Sequence, residues 1–145
     1  LIDAYLELKN AFVATEFTTA TSAAKDVLQK LEKVQKSLLQ GDAQVYWIEQ
    51  FDALKTHSQK IVTAEDVETQ RQQFEFVSMA MINTITAFGT TKKSLYVQHC
   101  PMAFDNQGAD WLASEEGIRN PYFGDLMMKC GFVKEVLDGQ ADGTD

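Results

Sequence analysis

The chain has 145 residues, 45% of them hydrophobic, which is enough for one ordinary domain with a single core. Thirteen Lys and Arg against 21 Asp and Glu give a formal net charge of −8, which disfavours a nucleic-acid partner or an anionic lipid surface. The most apolar segment, residues 76–88, contains Ser, Asn and Thr and is shorter than the roughly 20 apolar residues that a membrane-spanning helix needs.

Hydrophobic residues recur at helical spacing in four successive stretches. The stretches cover residues 1–12, 20–38, 45–62 and 67–88. Gly41 and Gly89 are placed to end the second and fourth helices, and Thr63 to cap the start of the fourth. Because the connections are short, neighbouring helices should run antiparallel, and the sequence predicts an up-and-down four-helix bundle over residues 1–89. The chain begins at Leu1 rather than at a methionine, so we expect a mature or excised fragment.

The character of the sequence changes after residue 89. Residues 95–98 are typical of a short strand, and residues 101–131 hold both prolines and four of the eight glycines. Asn120 followed by Pro121 predicts a short helix over residues 122–129, and residues 132–137 are predicted to pair with the first strand as a small β-hairpin. The predicted fold is one all-α domain, residues 1–138, in which residues 90–138 form an irregular cap with a small β-hairpin. A flexible tail should follow over residues 139–145.

Five side chains carry the soft-donor chemistry of the sequence. His99, Cys100 and Met102 place an imidazole, a thiol and a thioether within four residues, and Met127 and Cys130 repeat the sulfur donors later. Thiolates and thioethers favour monovalent copper and silver, whereas imidazole suits copper and zinc. A helix over residues 122–129 would bring Met127 and Cys130 to one side. The sequence therefore predicts a copper(I)-type site with the four sulfur residues as ligands and His99 as an optional fifth.

The two cysteines leave other interpretations open. In an oxidising compartment Cys100 and Cys130 could form a disulfide, which would remove the thiolate donors and pin the cap onto the helices of a structural or protein-interaction domain. They could also be two unrelated buried thiols. The sequence has no Glu-x-x-His pair of a di-iron bundle and no Cys-x-x-Cys-His of covalent haem. It has no Ser-His-Asp spacing or phosphate loop either, so we expect a binding module rather than an enzyme.

A series of residues in the C-terminal third stands in a distinctive order and spacing: Tyr96, Cys100-Pro101-Met102-Ala103, Gly108, Trp111-Leu112, Ile118, Asn120-Pro121-Tyr122-Phe123-Gly124, Met127 and Cys130-Gly131. In these residues the chain resembles a helical family of unknown function in envelope proteins of Gram-negative bacteria, sometimes fused to periplasmic adaptor subunits of copper and heavy-metal efflux pumps. Residues 1–89 fit that family in length and general pattern. The resemblance implies a periplasmic or otherwise secreted domain that handles a soft metal and works with an efflux adaptor or another envelope protein. This chain has His99 where many members have tyrosine.

Overall fold

The computed structural model describes residues 1–34, 39–91 and 94–139 of the chain. The described chain is mostly helical and adds a small antiparallel sheet of three strands. The elements in chain order are α1 (Ile2–Val13), α2 (Phe17–Glu32), α3 (Gly41–Thr63), α4 (Val67–Phe88), β1 (Ser94–Cys100), a short helical turn (Ala103–Asn106), β2 (Ala109–Ala113), a 3₁₀ turn (Gly124–Leu126) and β3 (Phe132–Asp138). None of the helices in these described ranges is long and apolar enough to cross a membrane.

The four predicted helices are confirmed, and helices that are consecutive in sequence pack against one another. Aromatic side chains join α1 to α4 in the core, where the ring of Phe74 lies 5.3 Å from that of Tyr5 and 4.9 Å from that of Phe12. All three rings are fully buried. The apolar spacing that predicted α1 and α4 therefore identifies the faces that meet.

Three of the predicted helix ends can be compared with the structure. Gly89 ends α4 as predicted, with the positive φ of 82° that glycine adopts without strain. Gly41 does not end the second helix, because α2 already ends at Glu32 and Gly41 is the first residue of α3. Thr63 does not cap α4, because its hydroxyl donates back to Gln59 O within α3. Asp66 caps α4 instead, and its carboxylate accepts from Thr69 N at 2.7 Å.

β1 is the central strand of the sheet, in the order β2-β1-β3. Its predicted antiparallel pairing with the last strand is confirmed, with Leu95 opposite Leu137 and His99 opposite Phe132. β2 was not predicted, and the domain is mostly helical with a sheet rather than all-α. Four of the five β2 residues are buried, so the strand lacks the alternation of apolar and polar residues that would mark it in the sequence. β2 packs against α4.

The helix predicted for residues 122–129 is wrong. This segment forms turns around the 3₁₀ turn Gly124–Leu126, and Gly124 has a φ of +58°. A positive φ stops a right-handed helix after the Asn120-Pro121 start. Of the predicted tail, residues 140–145 lie outside the described residues.

The side chain of Arg71 on α4 fastens the segment after β2 to the helices. Its Nε donates to Pro121 O at 2.8 Å, and its Nη2 donates to Phe12 O at 2.7 Å and to Thr15 Oγ1 at 3.0 Å. Arg71 is buried, and a Cβ at Gly124 would lie only 3.0 Å from its Nη2. The close approach and the positive φ of Gly124 together allow the loop to close over the guanidinium.

A second attachment joins α1 and β1 to the residues that follow β2. The buried Lys9 of α1 extends its ammonium to Glu115 Oε1 at 3.2 Å. Burial lowers the pKa of Lys9, and the Glu115 carboxylate opposes that shift. From β1, Gln98 Nε2 donates to the carbonyls of Glu115 and Glu116, each at 3.0 Å. Residues 114–131 are thus held against both the helices and the sheet.

Candidate metal centre

The fold brings the two cysteines together. Cys100 is the last residue of β1, and Cys130 stands two residues before β3, which pairs with β1. Both are free thiols, and their Sγ atoms lie 3.6 Å apart. A disulfide would require about 2.05 Å. Two thiolates on a tetrahedral ion, with metal–sulfur bonds of about 2.3 Å, would lie about 3.8 Å apart. The 3.6 Å spacing is that of two reduced thiols in contact, and it is close to the spacing of two thiolates on one ion.

Asn120 holds the backbone of Cys130 in place. This fully buried side chain donates from Nδ2 to Cys130 O at 2.8 Å, while its Oδ1 accepts from Tyr122 N at 2.8 Å and Phe123 N at 3.1 Å. Its own backbone N–H donates to Met128 O at 2.9 Å. Predicted as a helix cap, Asn120 caps a turn and ties that turn to Cys130.

Gly131 lets the chain after Cys130 approach β1 closely. Its φ is +138°, and a Cβ at this position would lie 2.7 Å from His99 O and 3.2 Å from the ring of Trp111. Any side chain here would push the start of β3 away from β1. The position of the Cys130 thiol therefore depends on a glycine next to it.

The electrostatic environment keeps Cys130 protonated. Partial burial raises the pKa of the Cys130 thiol, and its contact with the Cys100 thiol raises the pKa further. The backbone N–H of Met102 donates to Cys130 Sγ and acts in the opposite direction. With its pKa above the ordinary value, Cys130 is a thiol at neutral pH, and a metal ion must displace its proton to bind.

The two methionines of the predicted site differ in their position relative to the thiol pair. Met102 follows Pro101, and its N–H to Cys130 Sγ places its backbone beside the thiol pair. The Met102 residue is 46% exposed. Met127 is linked to Cys130 by a turn in which Cys130 N donates to Met127 O at 3.1 Å, not by the predicted helix. The structure thus brings the Met102 backbone to the pair and places Met127 one turn before it.

His99 is not brought to the thiol pair. Successive residues of a strand point to opposite faces of a sheet, so His99 lies on the face opposite to Cys100. There its Nδ1 lies 2.6 Å from Asp110 Oδ1, and its ring lies 5.5 Å from that of Phe132. The partnership with Asp110 was missed in the sequence because it follows from the unpredicted strand β2, where Asp110 stands directly opposite His99.

Within residues 1–34, 39–91 and 94–139, no three or more His, Cys, Asp or Glu side chains form a group that could hold a metal ion. The soft donors that the fold does bring together are the two thiols, Cys100 and Cys130. That donor set suits a soft ion and leaves a hard ion such as Mg²⁺ or Ca²⁺ without its oxygen ligands.

Comparison with known proteins identifies the helical part of the chain. A family model described as Protein of unknown function (DUF3347) matches residues 1–93. The match takes in the four helices and ends before β1, so it does not reach either cysteine. No curated protein and no solved structure matches the chain.

Proposed function

Because the chain belongs to the DUF3347 family of proteins of unknown function, we infer its activity from its own side chains and propose that it binds a soft metal ion. In this proposal Cys100 and Cys130 are the thiolate ligands of one copper(I) or silver ion. The observation that carries it is the 3.6 Å separation of their Sγ atoms. Met102 and Met127 are the proposed thioether ligands that complete the coordination.

The donor set favours a monovalent soft ion over zinc. Structural zinc sites take four ligands from cysteine and histidine, and the imidazole of His99 is on the other face of the sheet. Two thiolates with thioethers are the soft ligands that copper(I) prefers. Of the proposed ligands, Cys100 is buried in the domain and Met102 is half-exposed at its surface.

The proposed setting is the cell envelope. From what the sequence resemblance over residues 96–131 implies, we propose a periplasmic accessory domain that works beside a heavy-metal efflux adaptor or another envelope protein. We propose that the helices form an up-and-down four-helix bundle and that the segment after residue 89 caps it and presents the thiol pair. In this proposal the domain binds the metal ion and does not catalyse a reaction.

A second candidate rests on the same two atoms. Cys100 and Cys130 are close enough for a modest movement to join them as a disulfide. Such a bond would tie the end of β1 to the start of β3 and stabilise a structural or interaction domain by about 4 kcal/mol on loop-entropy grounds. Counting free thiols in the denatured protein, after purification without reductant, separates the candidates. Two free thiols favour the metal site, and none favours the disulfide.

The metal proposal is tested by anaerobic titration of the reduced protein with copper(I) against a chromophoric chelator. We expect one equivalent to bind, and Cys100→Ala and Cys130→Ala each to weaken binding by more than the roughly 10–100-fold typical of losing an outer-shell contact. His99→Ala is the matched control, because it removes a donor of the same segment from the other face, and it should bind like the wild type. Wild-type protein that does not bind copper(I), or a His99→Ala variant as weak as Cys100→Ala, would contradict the proposal.

A further inference from the structure

The two thiols differ sharply in access. Cys100 is fully buried at the end of the central strand, whereas Cys130 is partly exposed next to β3, an edge strand of the sheet. A reagent from solvent therefore reaches Cys130 before Cys100, whose Sγ lies 3.6 Å from that of Cys130.

From this geometry we infer that the pair is also a thiol–disulfide exchange site, in which Cys130 reacts with an external disulfide and Cys100 resolves the product. The co-reactant is a low-molecular-weight disulfide, RSSR, which is small enough to reach a partly exposed thiol. The inference does not depend on metal binding. It assigns the accessible sulfur and the buried sulfur separate roles, as expected where a reactive thiol lies beside a resolving one.

The exchange balances in two steps. Cys130 gives up its proton and attacks one sulfur of RSSR, so that a Cys130–SR bond forms, the S–S bond of the reagent breaks and one RS⁻ leaves. The Cys100 thiolate then attacks the Cys130 sulfur and expels the second RS⁻. The two protons of the protein thiols end on the two released thiolates, so the protein loses two electrons and RSSR becomes two RSH. Closing the bond needs the Sγ atoms to approach by roughly 1.5 Å from 3.6 Å.

The exchange and the metal site would exclude each other. If the proposed copper(I) site exists, the ion occupies both thiolates and blocks attack on RSSR, while the disulfide form has no thiolate to offer an ion. This consequence alone depends on the proposed function.

Oxidised glutathione, added to the reduced full chain without metal, is the probe that tests the inference. Intact-mass measurements should show the wild type ending as an internal disulfide without adduct, and Cys100→Ala accumulating a single glutathione adduct on Cys130. Cys130→Ala should react at least about tenfold more slowly, since its remaining thiol is buried. Equal rates for the two variants, or a wild type that keeps the adduct, would overturn the inference.

Partial alkylation of the wild type keeps the test independent of how the variants fold. With limiting iodoacetamide, peptide mapping should find Cys130 labelled at least about tenfold more than Cys100. Preferential labelling of Cys100 would overturn the order of attack. Because these measurements use no metal, a failed copper titration leaves them unaffected, and a failed exchange leaves the metal site standing.

Discussion

Replacing Arg71 by methionine should destabilise the fold strongly. Methionine has a similar length but no donor, so the carbonyls of Phe12 and Pro121 each lose a hydrogen bond from the guanidinium. Hydrogen bonds to charged groups contribute about 1.5–3 kcal/mol each, and the desolvation of the buried guanidinium offsets part of that. We therefore expect Arg71→Met to lower the free energy of unfolding by about 2–4 kcal/mol.

Equilibrium urea unfolding, followed by circular dichroism and tryptophan fluorescence, measures this loss. Glu68→Gln is the matched control, because Glu68 also pairs with Arg71 at 2.7 Å but its side chain is 71% exposed. The Arg71 side chain of this pair is only 3% exposed, but Gln keeps an acceptor for Nη1 at the exposed end, so the control should lose about 0.5–1.5 kcal/mol, less than Arg71→Met. Arg71→Lys should recover less than half of the loss, since an ammonium does not reproduce the planar fork of donors. An Arg71→Met variant within about 1 kcal/mol of the wild type, or a Glu68→Gln variant equally damaged, would refute the reasoning.

Three further changes test the loop and the site. Gly124→Ala should lower the free energy of unfolding in urea by about 1–3 kcal/mol, because it forces an alanine into a φ of +58° with its Cβ 3.0 Å from Arg71 Nη2. Gly117→Ala is the control and should leave stability unchanged, since a Cβ at Gly117 would meet nothing within 4 Å. Asn120→Ala should lower the free energy of unfolding by about 1–3 kcal/mol, since it removes the hydrogen-bond partner of Cys130 O and of the Tyr122 and Phe123 amides. It should also speed the alkylation of Cys130. Unchanged stability and labelling would count against the anchoring role of Asn120. Copper(I) affinity should fall as the pH falls from about 8 to about 6, by up to about tenfold per unit for each thiol proton displaced, because the raised pKa keeps Cys130 protonated. A competition titration with the same affinity across that range would contradict the assignment of Cys130 as a ligand.

The sequence predicted the parts of the fold whose burial repeats with a regular period. The four long helices have such a period. The pairing of residues 95–98 with the last strand was also predicted, although β3 is mostly exposed and the register shifts between Val97 and Gln98. β2 could not be found in this way, because it is buried at nearly every position. The 122–129 helix failed for a local reason, since Gly124 adopts a positive φ that its sequence neighbours do not reveal.

Only part of the candidate site could likewise be predicted from the sequence. Residue types alone identified the sulfur donors, and strand pairing in three dimensions then placed Cys100 and Cys130 in contact. The position of His99 depends on the alternation of side chains along β1, which separates it from its neighbour in sequence. Its partner Asp110 comes from the strand that the sequence did not reveal.

The account depends most on both thiols binding the same ion. Copper K-edge X-ray absorption of the reduced protein, loaded with one equivalent of copper(I), examines that ion directly. We predict a first shell of sulfur alone, lost when Cys100 and Cys130 are both replaced by alanine and unchanged in His99→Ala. A nitrogen shell with the outer scattering of an imidazole, or a sulfur shell that survives the double replacement, would contradict the account.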